Sequence, residues 1–251
     1  MSDINQNLRQ AAQSGDEVEI KTLLLNPRCD ALSKDKDGAT ALMDAAASGH
    51  AGCVQLLLPV SDPLATDQWG RTALMLGAAE GHTACIHLLL PLPGDYAGPE
   101  PKDTHGLTAL LHAVFNGNTH CVRMLLPVSD ALVKDKGGQT ALMVAALNGC
   151  AECVQLLLPA SDALAQSEDG MTALMWAAKR GYVDCIQLLL PISALGAKNK
   201  NGMTISEYAR SKGHSNATDL IDSYVLAQSE MSALSFSTPS GPSRKASPRR
   251  V

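Results

Sequence analysis

Apolar residues in this chain come in short paired bursts separated by polar turns. Residues 35–66 show the pattern. Asp35-Lys36-Asp37-Gly38 reads as a turn, with Gly38 free to take a positive φ. Thr40 stands where a hydroxyl caps a helix, and Leu42, Met43, Ala45 and Ala46 give that helix an apolar side of small residues. Ser48-Gly49-His50 ends it, and Cys53, Val54, Leu56, Leu57 and Leu58 form the apolar side of a second helix, closed by Pro59. Neither helix reaches the roughly 12–15 residues needed for stability alone in water, so each pair must stack on its neighbours.

The pattern repeats. Gly-x-Thr-Ala-Leu occurs at Gly38, Gly70, Gly106, Gly138 and Gly170, with a degenerate copy at Gly202, in steps of 32, 36, 32, 32 and 32 residues. Cys53, Cys85, Cys121, Cys153 and Cys185 step by 32, 36, 32 and 32, sharing the same four-residue slip. Two independent markers in one register make the repeat real. Residues 4–34 and 199–224 keep the apolar pattern with more polar outer positions, as terminal caps need for solubility.

These units, Gly-x-Thr-Ala-Leu-Met-x-Ala-Ala-x-x-Gly-His followed by Cys-Val-x-Leu-Leu-Leu, resemble the ankyrin repeat over roughly residues 4–224. The resemblance implies an all-α solenoid of helix-turn-helix units joined by hairpin-like turns, with a concave binding face made by hairpin tips and first helices. We expect a domain over 1–224, comprising an N-cap (1–34), five full repeats (35–198) and a C-cap (199–224). Three departures affect the hairpin and the second helix. Thr-Ala-Leu-Met replaces the family's Thr-Pro-Leu-His, Pro-Val-Ser-Asp replaces its Gly-Ala-Asp turn, and cysteine stands where it prefers Ile or Val.

Residues 225–251 carry Arg244, Lys245, Arg249 and Arg250 against Glu230, a local balance of +3 within a chain of net charge −5, leaving −8 on residues 1–224. The Ser/Pro-rich end from 236 reads as a disordered basic tail, although 225–234 is able to extend the last helix. Its Arg244-Lys245-Ala246-Ser247-Pro248 and Thr238-Pro239 resemble kinase acceptor sites. Four cations against an acidic body argue against nucleic-acid binding. The start of the chain does not read as a signal peptide, and the apolar runs are too short to span a bilayer. We therefore expect a cytoplasmic, monomeric protein with no membrane partner. Aromatic residues make up only 3 %, so Ala, Leu, Val and Met must supply the core.

Catalytic chemistry is not indicated: there is no nucleophile elbow, phosphate-binding glycine loop or His-Glu-x-x-His helix. Five of the seven cysteines hold one repeat position and read as reduced core hydrophobes. Cys150-Ala151-Glu152-Cys153 looks like a metal or redox pair, but without a second pair it is read as one framework cysteine with a chance neighbour. No metal or cofactor is expected. His50 and His82 are expected to bond to the neighbouring turn.

Positions that vary while the framework repeats are the candidate binding residues. They are Trp69, Arg71 and Glu80; His105, Leu107, Phe115 and Asn116; Gln139, Leu147 and Asn148; and Met171, Lys179 and Arg180. Most are expected to be exposed, and Trp69, Phe115, Leu147 and Met171 are expected to form an apolar patch. Trp176 lies within a first helix and reads as packing between repeats. The insertion over 91–102, with four prolines and Tyr96, is a second candidate contact. The expected function is a scaffold or adaptor for an unidentified protein partner; the alternative is a dedicated inhibitor or regulatory subunit of one enzyme.

Overall fold

The computed structural model describes residues 4–90 and 100–236. The described residues contain helices and turns but no strand. The helices form seven pairs. An opening pair, α1 (Ile4–Ser14) and α2 (Glu17–Leu24), precedes α3 (Ala41–Ala47) with α4 (Ala51–Leu57) and α5 (Ala73–Glu80) with α6 (Thr83–Leu89). Next come α7 (Ala109–Phe115) with α8 (Thr119–Leu125), and α9 (Ala141–Asn148) with α10 (Ala151–Leu157). The last pairs are α11 (Ala173–Arg180) with α12 (Val183–Leu189) and α13 (Ile205–Ser211) with α14 (Ser215–Phe236). Helix α14 continues past Tyr224 into the segment read as tail. The central insertion stretch 91–99, with Tyr96, and the tail positions Thr238, Arg244, Lys245, Ser247, Arg249 and Arg250 lie outside the described residues.

Capping sets where the first helices start. Thr40, Thr72, Thr108 and Thr172 each accept a hydrogen bond from the backbone N–H three residues on, at 3.3–3.4 Å. Thr204 extends this to a full capping box with Glu207. Thr140 departs from the series: its hydroxyl is buried and makes no hydrogen bond. The second helices end differently from the sequence expectation. At Leu58–Val60, Leu126–Val128, Leu158–Ala160 and Leu190–Ile192 the chain tightens into a 3-10 turn that contains the proline. Proline is tolerated there because the first turn of a helix leaves its N–H unpaired in any case.

First helices pack on first helices, in the order α1, α3, α5, α7, α9, α11, α13, and second helices stack alongside them. Leu42, Met75, Leu110, Leu142 and Leu174 on the first layer are sealed, as are Cys53, Cys85, Cys121, Cys153 and Cys185 on the second. Each buried leucine contributes roughly 1.5–3 kcal/mol, which stabilises helices too short to persist alone.

Between repeats the hairpins hold their own register. Each of Asp35, Asp67, Asp103 and Asp135 accepts two backbone N–H bonds across its turn, from residues two and four further on. Adjacent tips are then joined backbone to backbone. The N–H groups of Gln68, Thr104, Lys136, Glu168 and Lys200 donate to the carbonyls of Asp37, Trp69, His105, Gly137 and Asp169, at 2.8–3.0 Å. The Trp69 bond spans the insertion, so four extra residues leave the stack in register.

Candidate binding face

The expected site residues fall into two rows. Hairpin residues Trp69, Arg71, His105, Leu107, Gln139 and Met171 follow the bonded tips. Glu80, Phe115, Asn116, Leu147, Asn148, Lys179 and Arg180 lie at or next to the C-terminal ends of α5, α7, α9 and α11, which stack in that order. The stack therefore aligns residues far apart in sequence.

Trp69 is the anchored aromatic of the first row. It is 42 % exposed, and the Arg71 guanidinium lies 4.5 Å from the ring centroid. Arg71 is fixed from behind, with Nε and Nη2 both donating to Oδ2 of the buried Asp67 at 2.8 Å. A tethered cation over the ring presents a preformed edge. One repeat further on, Asp103 plays the part of Asp67 and accepts from His112 Nε2 at 3.0 Å. Burial pushes the His112 imidazole below its ordinary value, outweighing the pull of the Asp103 carboxylate. Asp103 thus ties the half-buried His112 side chain and the backbone N–H of the exposed His105 to one carboxylate.

Phe115 is 57 % exposed at the end of α7. Its carbonyl accepts from Asn148 Nδ2 at 2.7 Å, and Asn116 Nδ2 donates to the His112 carbonyl at 3.1 Å. Lys179 Nζ lies 4.4 Å from the centroid of the Trp176 ring, which is buried in the core cluster, while the cation remains partly accessible. Glu80, Asn148 and Arg180 are exposed.

The expected apolar patch is smaller than the sequence implied. Met171 is 4 % exposed and sits in the core, with Asn199 Nδ2 3.9 Å from its sulfur. Leu107 and Leu147 are half-buried against the core, and Gln139 is half-buried. The reason lies in the column after the hairpin glycine, Ala39, Arg71, Leu107, Gln139, Met171 and Met203. Met171 lies against Asn199 of the next turn and Leu107 and Met203 pack on the core, whereas Arg71 bonds back to the buried Asp67. Trp69 and Phe115 are the large apolar side chains left open in these two rows.

A row of exposed leucines lies elsewhere. Leu32, Leu64, Leu132 and Leu164 are each more than half exposed, in the loops that follow the second helices. Asp30, Asp62, Asp130 and Asp162 each accept the N–H of the leucine two residues on, at 2.8–2.9 Å, and so fix those loops. Their spacing of 32, 68 and 32 residues, with Glu100 standing at the skipped repeat, was visible in the sequence, but a periodic leucine reads as core by default.

A polar concavity of about 450 Å³ opens near the N-terminal cap, lined by Gln6, Arg9, Gln10, Gln13, Asp35 and Asp44. Arg9 pairs with Asp35 at 2.6 Å rather than with Asp44. Burial opposes ionisation of Asp35, yet the backbone N–H groups of Ala39 and Asp37 and the Arg9 guanidinium together hold its carboxyl below the ordinary value. Asp44 lacks those donors, and burial raises it to about 6.

The histidines next to the helix-ending glycines bond backwards. His50, His82 and His214 place Nε2 3.1 Å from the carbonyls of Gln13, Ala47 and Lys179 in the preceding unit. The cysteines require one correction. Cys150 and Cys153 are joined as a disulfide, where the sequence reading kept both reduced. Cys53, Cys85, Cys121 and Cys185 are free and buried. Among the described residues no cluster of three or more His, Cys, Asp or Glu side chains is placed to hold a metal ion, and no helix is long and apolar enough to cross a membrane.

The family model for ankyrin repeats (3 copies) matches residues 8–97, 92–166 and 159–225, which together cover most of the chain. The chain belongs to the ankyrin repeat family. Among solved structures this ankyrin repeat protein is similar to the crystal structure of the human ASB11 ankyrin repeat domain. The two are 25 % identical with a TM-score of 0.72, over 85 % of this chain and 96 % of that one. Among curated proteins none matches. Ankyrin repeats are generally protein–protein interaction modules, and the family is typically non-catalytic.

Proposed function

We propose that this chain is a scaffold or adaptor that binds one or more partner proteins through the face built from its hairpin tips and first-helix ends, working as a monomer in the cytoplasm. The observation that carries the reading is that two large apolar side chains stand open on adjoining repeats, Trp69, braced by Arg71 and Asp67, at a hairpin tip and Phe115 at a first-helix end. Tryptophan and arginine dominate binding hot spots, where truncating one anchor costs 2 kcal/mol or more. Glu80, His105, Asn116, Asn148, Lys179 and Arg180 supply the polar rim that excludes water around such anchors.

The test is affinity capture followed by mass spectrometry with wild type and a Trp69→Ala/Phe115→Ala double variant. Both side chains are largely outside the core, so the variant should keep its circular dichroism spectrum. Loss of the main partners supports the face; identical partner sets from the two proteins sink it. A single stoichiometric enzyme whose activity falls on binding narrows the role to an inhibitor.

A further inference from the structure

Position 150 breaks a rule that the rest of the stack keeps. The residue after the helix-ending glycine is His50, His82, Asn118, Tyr182 and His214 in the other repeats and the C-cap. The three histidines bond back to the preceding unit, and Asn118 Nδ2 does the same to the carbonyls of Ala78 and Ala79, at 3.0 and 2.7 Å. A Cβ on Gly15, Gly49, Gly81, Gly149 or Gly181 would run into that following side chain. On Gly117, the partner of Cys150, it would meet nothing within 4 Å. Cysteine at position 150 therefore lacks the longer side chain that fills this junction elsewhere and leaves open space over Gly117.

Thr119 stands beside the sulfur pair and also lines a concavity of about 300 Å³ with Gly81, Gly117, Asn118, His120, Cys121 and Glu152; neither Cys150 nor Cys153 lines it. The Thr119 hydroxyl lies 3.8 Å from Cys150 Sγ and 3.6 Å from Cys153 Sγ. Cys150 is half-buried, whereas Cys153 is sealed in the core. Their Cα atoms are 5.2 Å apart, within the span of roughly 4.4–6.8 Å that a disulfide bridges without backbone movement. The remaining framework thiols are poor competitors. Burial raises Cys53, Cys85 and Cys121 and pushes Cys185 up to about 11, and none of them has a second cysteine three residues away to close a ring with.

We propose that Cys150 and Cys153 form a reversible thiol–disulfide centre that exchanges with low-molecular-weight thiols of the glutathione class. The two sulfurs have different roles because only one is approachable. An incoming thiolate attacks Cys150 Sγ, the Cys150–Cys153 bond breaks, and Cys153 leaves as a thiolate that takes up a proton. The mixed disulfide on Cys150 is then attacked at the small molecule's sulfur by a second thiolate. Cys150 is released and protonated, and the oxidised small-molecule disulfide departs. The balance is one protein disulfide and two small thiols giving one protein dithiol and one small disulfide. The oxidising direction runs through the same intermediate, with Cys150 attacking and Cys153 closing the ring.

The test uses the full chain carrying Cys29→Ser, which removes the other half-buried thiol. The protein is equilibrated over a range of glutathione to glutathione disulfide ratios, quenched with acid, alkylated under denaturing conditions and analysed by peptide mass spectrometry. The peptide holding both residues should pass from two alkylated thiols to none, with a mass loss of two hydrogens, while the other four cysteines stay alkylated throughout. In the same background, Cys153→Ser should trap a glutathione adduct on Cys150, and Cys150→Ser should leave Cys153 unmodified while its circular dichroism matches wild type. A pair that stays dithiol at the most oxidising ratio, or disulfide at the most reducing one, overturns the proposal. So does a Cys150→Ser variant of native spectrum in which Cys153 takes the adduct as readily as Cys150 does in its counterpart.

Discussion

If the bonded hairpin tips hold the repeats in register, adding one methyl group at a tip should cost far more than the same methyl at a helix end. Gly138 and Gly117 make a matched pair, since both have φ of +72°. Alanine in that left-handed conformation costs about 1–2 kcal/mol at either site. A Cβ at Gly138 would lie 2.8 Å from the backbone nitrogen of Glu168, whereas at Gly117 it meets nothing within 4 Å. The Glu168 nitrogen cannot give way freely, because it donates to the Gly137 carbonyl at 3.0 Å. Overpacking of this kind adds about 1–3 kcal/mol, so Gly138→Ala should lose about 2–5 kcal/mol in total. Urea unfolding followed by far-UV circular dichroism measures both variants against wild type. Hydrogen exchange at the Glu168 amide adds a local reading, with faster exchange expected in Gly138→Ala alone. Equal losses for the two alanines, or a larger one at Gly117, would refute the argument that tip-to-tip contact sets the register.

Three further outcomes follow from named groups. Asp44 has a folded pKa of about 6, above its ordinary 3.8, so its contribution to stability is fully present below 3.8 and is lost as pH rises through 6. Asp44→Asn should therefore raise the urea midpoint at pH 7 by the equivalent of about 1 kcal/mol after solvent screening, an advantage that disappears below 3.8. Thr72→Ala should cost about 1 kcal/mol by removing a cap, whereas Thr140→Ala, whose hydroxyl is buried without a partner, should cost less or stabilise. The two thermal melts compare them directly. Arg123 and Glu152 pair at 3.2 Å while remaining mostly exposed, so Arg123→Ala should shift stability by less than about 0.5 kcal/mol in the same assay.

The parts of this fold that were legible in the sequence are those whose physics is local. A glycine that needs positive φ, a threonine that caps three residues on and a proline after Leu-Leu act within one turn. Their 32-residue recurrence therefore disclosed the stack. The candidate face was legible only in part, because exposure is decided by the neighbouring repeat. Met171 and Arg71 share a column, yet one lies under the next hairpin and the other reaches back to Asp67. Reading the column as a whole, apolar at Ala39, Leu107, Met171 and Met203, carried the warning that this position faces inward. Cys150 reads as a chance neighbour of a framework cysteine because no second cysteine pair accompanies it; the substitution at position 150 is visible in the sequence, but the space it leaves over Gly117 is a property of the stack.

The ladder of backbone bonds joining successive tips also gives the molecule a mechanical character. Each unit is held chiefly by the one before and the one after, so tension applied at the two ends has no distant contact to load. Repeats should peel away one by one, each releasing about 110 Å of contour length for 32 residues at about 3.4 Å apiece. The 36-residue step alone should release about 14 Å more. Stretched, the chain becomes a ruler with one long division, and the position of that division in the force trace reports which end yields first.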